Sequence, residues 1–387
     1  MEIVNPQTSF WWKVPLNING VGMMGVLEKQ GISFSRHGYL EAKQHGGDAD
    51  AIGRAIRRRH RPLSQSVLTS AREEYTKREV RPFPRYFIIE PTSYCNRKCF
   101  FCPITVTNRY GAAMKWEHFT KLMDECAEND VYGISLYQLG ESMLWRGKEG
   151  VLKKNISHMV SMAKWAGFRA VNISTNGDVD NLDLLLDCGL SDLFFSIDGT
   201  TPEVYSENRP STKPNDVNAF ERTVEHTRAF LEAKDREGLT DPWCRLQIIN
   251  NHLTAPQVVD FIRYWIEVPG VDDVFVKHLD EMGAWLGNTV VSAEESAQKR
   301  ERVSQMPCQH LWAIGSMTAT GKFNACCHDA LTELTTADAN IDNMTFADWW
   351  NGDYMNALRG EHIGLQTGGE VRTPCRNCLE RDPWLGI

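Results

Sequence analysis

Three cysteines fall within eight residues, Cys95-Asn-Arg-Lys-Cys99-Phe-Phe-Cys102. Five more follow near the C-terminus: Cys308, Cys326, Cys327, Cys375 and Cys378. Thiols clustered in this way hold metal or do redox chemistry when the compartment keeps them reduced. The other three of the eleven, Cys126, Cys188 and Cys244, stand alone and read as buried structural thiols. The first run has no histidine placed to complete a tetrahedral zinc site locally, so zinc would need a fourth ligand from elsewhere. Three thiolates on a [4Fe–4S] cubane leave one iron open, and an open iron can bind a ligand.

Composition narrows the setting. The chain has 387 residues, 42% hydrophobic and 24% charged, which excludes wholesale disorder and fits a catalytic domain with additions. A net charge of −8 argues against electrostatic nucleic-acid binding. No apolar run reaches the ~18 residues of a membrane span. The start, MEIVNPQTSFWWKVPL, lacks the basic and apolar regions of a secretory signal. A cytoplasmic enzyme without a membrane partner is the expectation.

The cysteine loop needs a frame, and periodicity supplies one. Strand patterns at 86–90, 132–138, 168–175, 193–198, 245–250 and 273–278 alternate with helical patterns at 115–129, 151–167, 180–188, 214–235 and 255–267. Repeated βα units imply a parallel sheet curling toward an open, partial barrel. Sites in such folds lie at the C-terminal strand ends, and the first cysteine run directly follows the first strand, after Ile89-Glu90. The chain divides into an N-terminal extension (1–84), the barrel (85–290) and a C-terminal unit (291–387). In the extension, 50–78 reads as one or two helices. Five arginines within 54–61 read as a solvated face, with a phosphate-bearing substrate or acidic partner as the alternative.

The CxxxCxxC run with aromatic Phe101 before its last cysteine resembles the hallmark of the radical S-adenosylmethionine (SAM) superfamily. The resemblance implies a (β/α)6 partial barrel and a [4Fe–4S] cluster on Cys95, Cys99 and Cys102. The cluster's open iron would chelate SAM and, on reduction, yield a 5′-deoxyadenosyl radical that takes a substrate hydrogen. Gly140-Glu141 looks like the family's glycine–glutamate motif, with Leu139 and Ser142 departing from type. A carboxylate there can accept from the SAM ammonium. Ser174 and Asn176, then Ser196 and Asp198, look like the segments that reach SAM's carboxylate and ribose. Ser196 is the chosen ribose contact.

Cys308, a Thr-Gly hairpin in TATGKFNAC, Cys326-Cys327, a helix at 346–359 and a closing Cys375-Arg-Asn-Cys378 resemble the SPASM/twitch extension behind many radical SAM barrels. The resemblance implies a second [4Fe–4S] cluster on Cys308, Cys326, Cys375 and Cys378, leaving Cys327 spare. A structural zinc ribbon is the plain alternative.

Short members with this cysteine arrangement dehydrogenate a secondary alcohol of aminoglycoside or aminocyclitol type, and similar ones epimerise a carbon. Others of the SPASM group modify ribosomal peptides. The expectation is therefore dehydrogenation of a sugar-like small molecule, with epimerisation and peptide modification as alternatives. A flavodoxin- or ferredoxin-type electron donor is implied. Lys277 and His278, consecutive on the sixth strand, and Tyr205 and Arg209, after the fourth, are candidate catalytic groups, of which each is more often structural. Cys327 is the candidate hydrogen donor for epimerisation, since Cys244 lies at the wrong end of its strand. Trp285, Trp312, Trp349, Trp350 and Trp384 could line a sugar site, although tryptophan usually packs.

Overall fold

In a computed structural model of the chain, the described residues are 13–18, 21–26, 31–37, 39–40, 56–57, 75–279, 301, 303 and 305–378. A ten-stranded sheet organises them. Its centre is six parallel strands: β5 (Tyr86–Ile89), β6 (Gly133–Ser135), β9 (Ala170–Thr175), β10 (Asp192–Ser196), β11 (Trp243–Asn250) and β12 (Asp273–His278). They neighbour one another in sequence order, as the βα reading requires, and the α/β partial barrel is confirmed.

Segments outside the barrel extend the same sheet. β3 (Gly31–Ser35) pairs antiparallel with β12, and β4 (Ile56–Arg57) with β3. The helices expected over 50–78 therefore give way, where that stretch is described, to a short strand and one helical turn at 75–77. Most of the arginine cluster lies outside the described residues. At the opposite edge, β13 (Ile314–Met317) runs parallel to β5 and turns back into β14 (Phe323–Asn324). This is the Thr-Gly hairpin, closed by the Gly321 amide donating to Thr318 O at 2.9 Å. Two further hairpins are β1 (Lys13–Ile18) with β2 (Val21–Val26), and β7 (Gly147–Glu149) with β8 (Leu152–Lys154).

Local signals move several helix boundaries. The helix expected from 151 begins at Ile156, because Asn155 accepts from the Ser157 amide while His158 receives the Asn155 amide. The expected 214–235 helix is Ala219–Arg236, and 180–188 shrinks to a 3-10 turn at Leu182–Leu185. Pro202–Asn208 is a helix that periodicity missed, started by Thr201 as N-cap and Pro202 in the first turn. The helix expected over 346–359 is two, Phe346–Asn351 and Asp353–Gly364, divided at Gly352. The first receives a carboxylate from the barrel: Glu125 accepts from the Phe346 and Ala347 amides at 3.1 and 3.2 Å.

Packing follows strand alternation. Val171, Ile173, Leu193, Phe195, Leu246, Ile248 and Val274 are buried; Phe195, for one, meets Phe230 of helix Ala219–Arg236. Trp312, Trp349 and Trp350 are core side chains rather than a sugar platform, while Trp285 and Trp384 lie outside the described residues. Cys126, Cys188 and Cys244 are buried, as lone thiols should be. Among the described residues no helix is long and apolar enough to cross a membrane.

The join between β3 and the barrel carries buried charge. Asp273 takes two hydrogen bonds from Arg245, at 2.8 and 3.0 Å, and accepts from the Ser33 hydroxyl. Arg245 also lies 5.2 Å from the ring centres of both Phe194 and Phe275. Removing the carboxylate strands a buried guanidinium, a loss of about 3–5 kcal/mol. Asp273→Ala is expected to fall by that amount in urea unfolding, and a change below about 1 kcal/mol would contradict this role.

Candidate active site

The loop leaving β5 is stitched before it reaches its cysteines. Ser93 N donates to Ala112 O at 2.9 Å and Met114 N to Pro91 O at 2.8 Å, drawing the loop's two ends together. The cysteine run then pairs with the segment after helix Pro202–Asn208: Lys98 N donates to Pro210 O, Phe100 N to Asn208 O, and Thr212 N to Asn96 O. Arg97, fully enclosed, ion-pairs Asp178, which Arg222 also holds at 3.0 Å.

Burial pushes all three thiols above their ordinary range, Cys102 to about 12, and each is near another. Desolvated thiols in this array lose their protons to solvent readily only when a metal cation binds among them and stabilises the thiolates. Around them sit donors suited to thiolate sulfur. The Arg97 amide is 3.4 Å from Cys95 Sγ, Arg209 Nη1 is 3.6 Å from Cys99 Sγ, and Asn176 Nδ2 is 3.9 Å from Cys95 Sγ. The residues fit a cluster held by three thiolates. Phe101 lies beneath the Arg209 guanidinium, 5.6 Å from ring centre to cation.

Gly140 sets the distance between this loop and the next. Its φ of +81° suits glycine, and a Cβ there would lie 2.1 Å from the Thr92 carbonyl oxygen. Its neighbour Glu141 donates its amide to Tyr94 O at 2.8 Å. The Glu141 carboxylate is buried and accepts from the amides of Asn176, at 2.7 Å, and Met143, at 3.2 Å. Burial raises its pKa, and those amides oppose the rise. The Thr175 side chain hydrogen-bonds the same carboxylate. Asn176 reaches across to Asn96 Oδ1 at 2.8 Å, and Ser174 and Ser196 face each other at 3.4 Å between hydroxyl oxygens.

Asp198 is engaged elsewhere. Its side chain, fully buried, binds the Arg209 guanidinium at 2.6 Å and the Ile249 amide at 2.6 Å. It thus anchors Arg209, which sits beside the cysteines. Tyr205 is also internal: its hydroxyl is 2.8 Å from Thr223 Oγ1, and Arg97 lies over its ring.

The inner strand face is a second, polar feature. Asn172, Ser174, Gln247 and Lys277 are half-buried while their apolar strand neighbours are enclosed. Tyr137, just past β6, was missed by sequence reasoning, which read that segment only for its glycine–glutamate pair. Its phenol interacts with Ser135 and lies within the electrostatic reach of Lys277, Cys327 and Arg245. Burial keeps it above its ordinary pKa, partly offset by Ser135 and Lys277. The period-2 step from Ser135 could have found it. The charge of Lys277 acts on Tyr137, whereas the His278 side chain lies outside the described residues.

Of the C-terminal cysteines, Cys308, Cys326 and Cys375 pack on the main core. The Cys308 amide donates to His362 Nδ1 at 3.2 Å, and Cys375 opens the turn Cys375–Asn377 that ends in Cys378. Cys327 is buried, its carbonyl receiving Gln138 Nε2 at 2.6 Å.

Comparisons with known proteins bear on this geometry. Residues 89–236 match the family model of the radical SAM superfamily, which implies SAM and a [4Fe–4S] cluster. Streptococcus suis SuiB bound to precursor peptide SuiA shares 14% identity over 89% of this chain and 82% of that one, with a TM-score of 0.50. AnSMEcpe with bound AdoMet shares 15% over 76% and 86%, also at 0.50. BtrN in complex with AdoMet and 2-DOIA shares 18% over 74% and 89%, at 0.46. Likeness at these identities is one of fold. No curated protein matches the sequence. The family match stops at residues 89–236, and what the chain shares with SuiB and anSMEcpe is the α/β partial-barrel fold.

Gly140→Ala tests how closely the two loops must approach. The left-handed conformation and the collision with Thr92 are expected to cost about 1–3 kcal/mol and to displace the cysteine loop. Iron taken up on anaerobic reconstitution should fall in this variant, and unchanged iron and stability would contradict the packing.

Proposed function

We propose that the chain is a radical SAM oxidoreductase that dehydrogenates a secondary alcohol of a small, hydroxyl-rich molecule of sugar or cyclitol type. The observation that carries this reading is the polar, half-open inner face, where Ser135, Tyr137, Asn172, Ser174, Gln247 and Lys277 offer hydroxyl, amide and ammonium groups. A many-hydroxyl substrate pairs with such groups, whereas an apolar one would leave them unsatisfied.

Cys95, Cys99 and Cys102 would hold the first cluster, with Glu141, Asn176 and Ser196 contacting SAM. Asp198, through its ion pair, would position Arg209 rather than touch the cofactor. Bound there, these groups would supply the radical that takes the carbon-bound hydrogen. The Tyr137 phenol, kept protonated by burial, would donate to the substrate oxygen. Lys277 is the proposed acceptor of the hydroxyl proton. The remaining electron completes the oxidation to a carbonyl, and a second [4Fe–4S] cluster on Cys308, Cys326, Cys375 and Cys378 is the proposed acceptor. A flavodoxin- or ferredoxin-type donor would recharge the first cluster.

Epimerisation is the second reading, favoured by buried Cys327, whose carbonyl is held by Gln138 of the barrel at 2.6 Å and whose thiol would return a hydrogen atom. Mass spectrometry of the product from a hydroxyl-rich substrate separates the two. Dehydrogenation gives a product two hydrogens lighter, and Tyr137→Phe should lower its turnover by about 10²–10⁴-fold. An unchanged mass, with one deuteron gained in deuterated water and lost in Cys327→Ala, would overturn dehydrogenation in favour of epimerisation.

A further inference from the structure

The cysteine left over from the cluster assignment has two histidine neighbours that the proposed reaction does not use. His310 opens the short helix His310–Ala313, and Cys327-His328 follow β14. Their ligand atoms all lie within 4.8 Å of one another, with Cys327 Sγ 4.0 Å from His310 Nδ1. The imidazole rings are 5.5 Å apart, centre to centre. His310 and Cys327 are buried. His328 Nδ1 is enclosed without a hydrogen-bond partner, a costly state for a ring nitrogen in a folded interior.

The backbone around them is held independently of any ligand. Asp329 accepts from the Glu333 amide at 3.0 Å and the Leu334 amide at 2.6 Å, and Asn324 Nδ2 donates to Asp329 O at 3.0 Å. Gln138 clamps the Cys327 carbonyl from the barrel side. The turn Cys326–Ala330 therefore presents its side chains from a fixed frame.

We infer that His310, Cys327 and His328 form a binding site for a borderline-soft divalent cation, zinc in particular. Two imidazoles and one thiolate suit zinc, whereas magnesium and calcium call for oxygen donors. Three protein ligands leave a fourth position for water or for a substrate oxygen. Because Gln138, just past β6, donates to the Cys327 carbonyl at 2.6 Å, the site borders the barrel. A metal-bound thiolate has no S–H hydrogen to return to a radical. The cation site stands whether or not the substrate is a sugar-like alcohol.

The test uses the anaerobically reconstituted full chain, equilibrated with zinc chloride and desalted. About one zinc per chain is expected, with iron content unchanged by the zinc. Zinc-edge X-ray absorption of this wild-type protein should show mixed nitrogen and sulfur ligands, near 2.0 and 2.3 Å. His328→Gln, a half-buried position where the fold is expected to survive, should bind zinc at least about tenfold more weakly and keep its iron. Cys308→Ala should lose iron while retaining zinc. Wild-type zinc at trace levels or an all-sulfur zinc shell would overturn the site. So would undiminished zinc in the double variant His310→Ala/His328→Gln, or loss of iron from Cys327→Ser.

Discussion

The Arg209 guanidinium joins the exit of the fourth barrel strand to the first cysteine loop, 2.6 Å from Asp198 and 3.6 Å from Cys99 Sγ. Its charge sits among groups with little access to water, so neither partner can be removed without leaving the other uncompensated. The same helix end that presents Arg209 also pairs its backbone with Lys98 and Phe100. Arg97, Asp178 and Arg222 repeat the arrangement on the other side of the loop. A stretch without regular secondary structure is thereby held rigid, and the separation of its sulfurs follows from that rigidity.

Inside the barrel the balance differs. Outward residues of β9, β10 and β11 are apolar and enclosed by helices, which supplies hydrophobic stabilisation. Inward residues include hydroxyl, amide and charged groups beside Phe194 and Phe275, and part of the polar surface stays open. The sheet therefore does not need its interior wholly filled with hydrocarbon. Closure comes partly from outside the barrel, since β3 completes one edge through Ser33 and Asp273, while β13 covers the other.

Much of this frame was legible in the residues. Six strands, the cysteine loop after Glu90 and the Thr-Gly hairpin all follow from local periodicity and turn chemistry. Gly140 and Glu141 were legible as a pair, although the need for glycine comes from the Thr92 carbonyl, which is remote in sequence. Roles that depend on distant partners were not legible. The ion pair of Asp198 with Arg209 leaves no local mark, and the helix that Thr201 and Pro202 begin around Tyr205 is too short for periodicity to show. β3 escaped because its partner is about 240 residues away, and strand pairing over that distance leaves no local mark. The His310, Cys327 and His328 cluster escaped for the same reason: a helix start and a post-hairpin turn had to meet first.

The central claim is that Cys95, Cys99 and Cys102 build the centre at which SAM is cleaved. The direct measurement is 5′-deoxyadenosine formed from SAM by reduced, anaerobically reconstituted protein, compared with Cys99→Ala prepared in the same way. Wild type is expected to form it and the variant to form none while keeping iron bound by the C-terminal thiols. Equal deoxyadenosine from both proteins, or none from fully loaded wild type, would contradict the account.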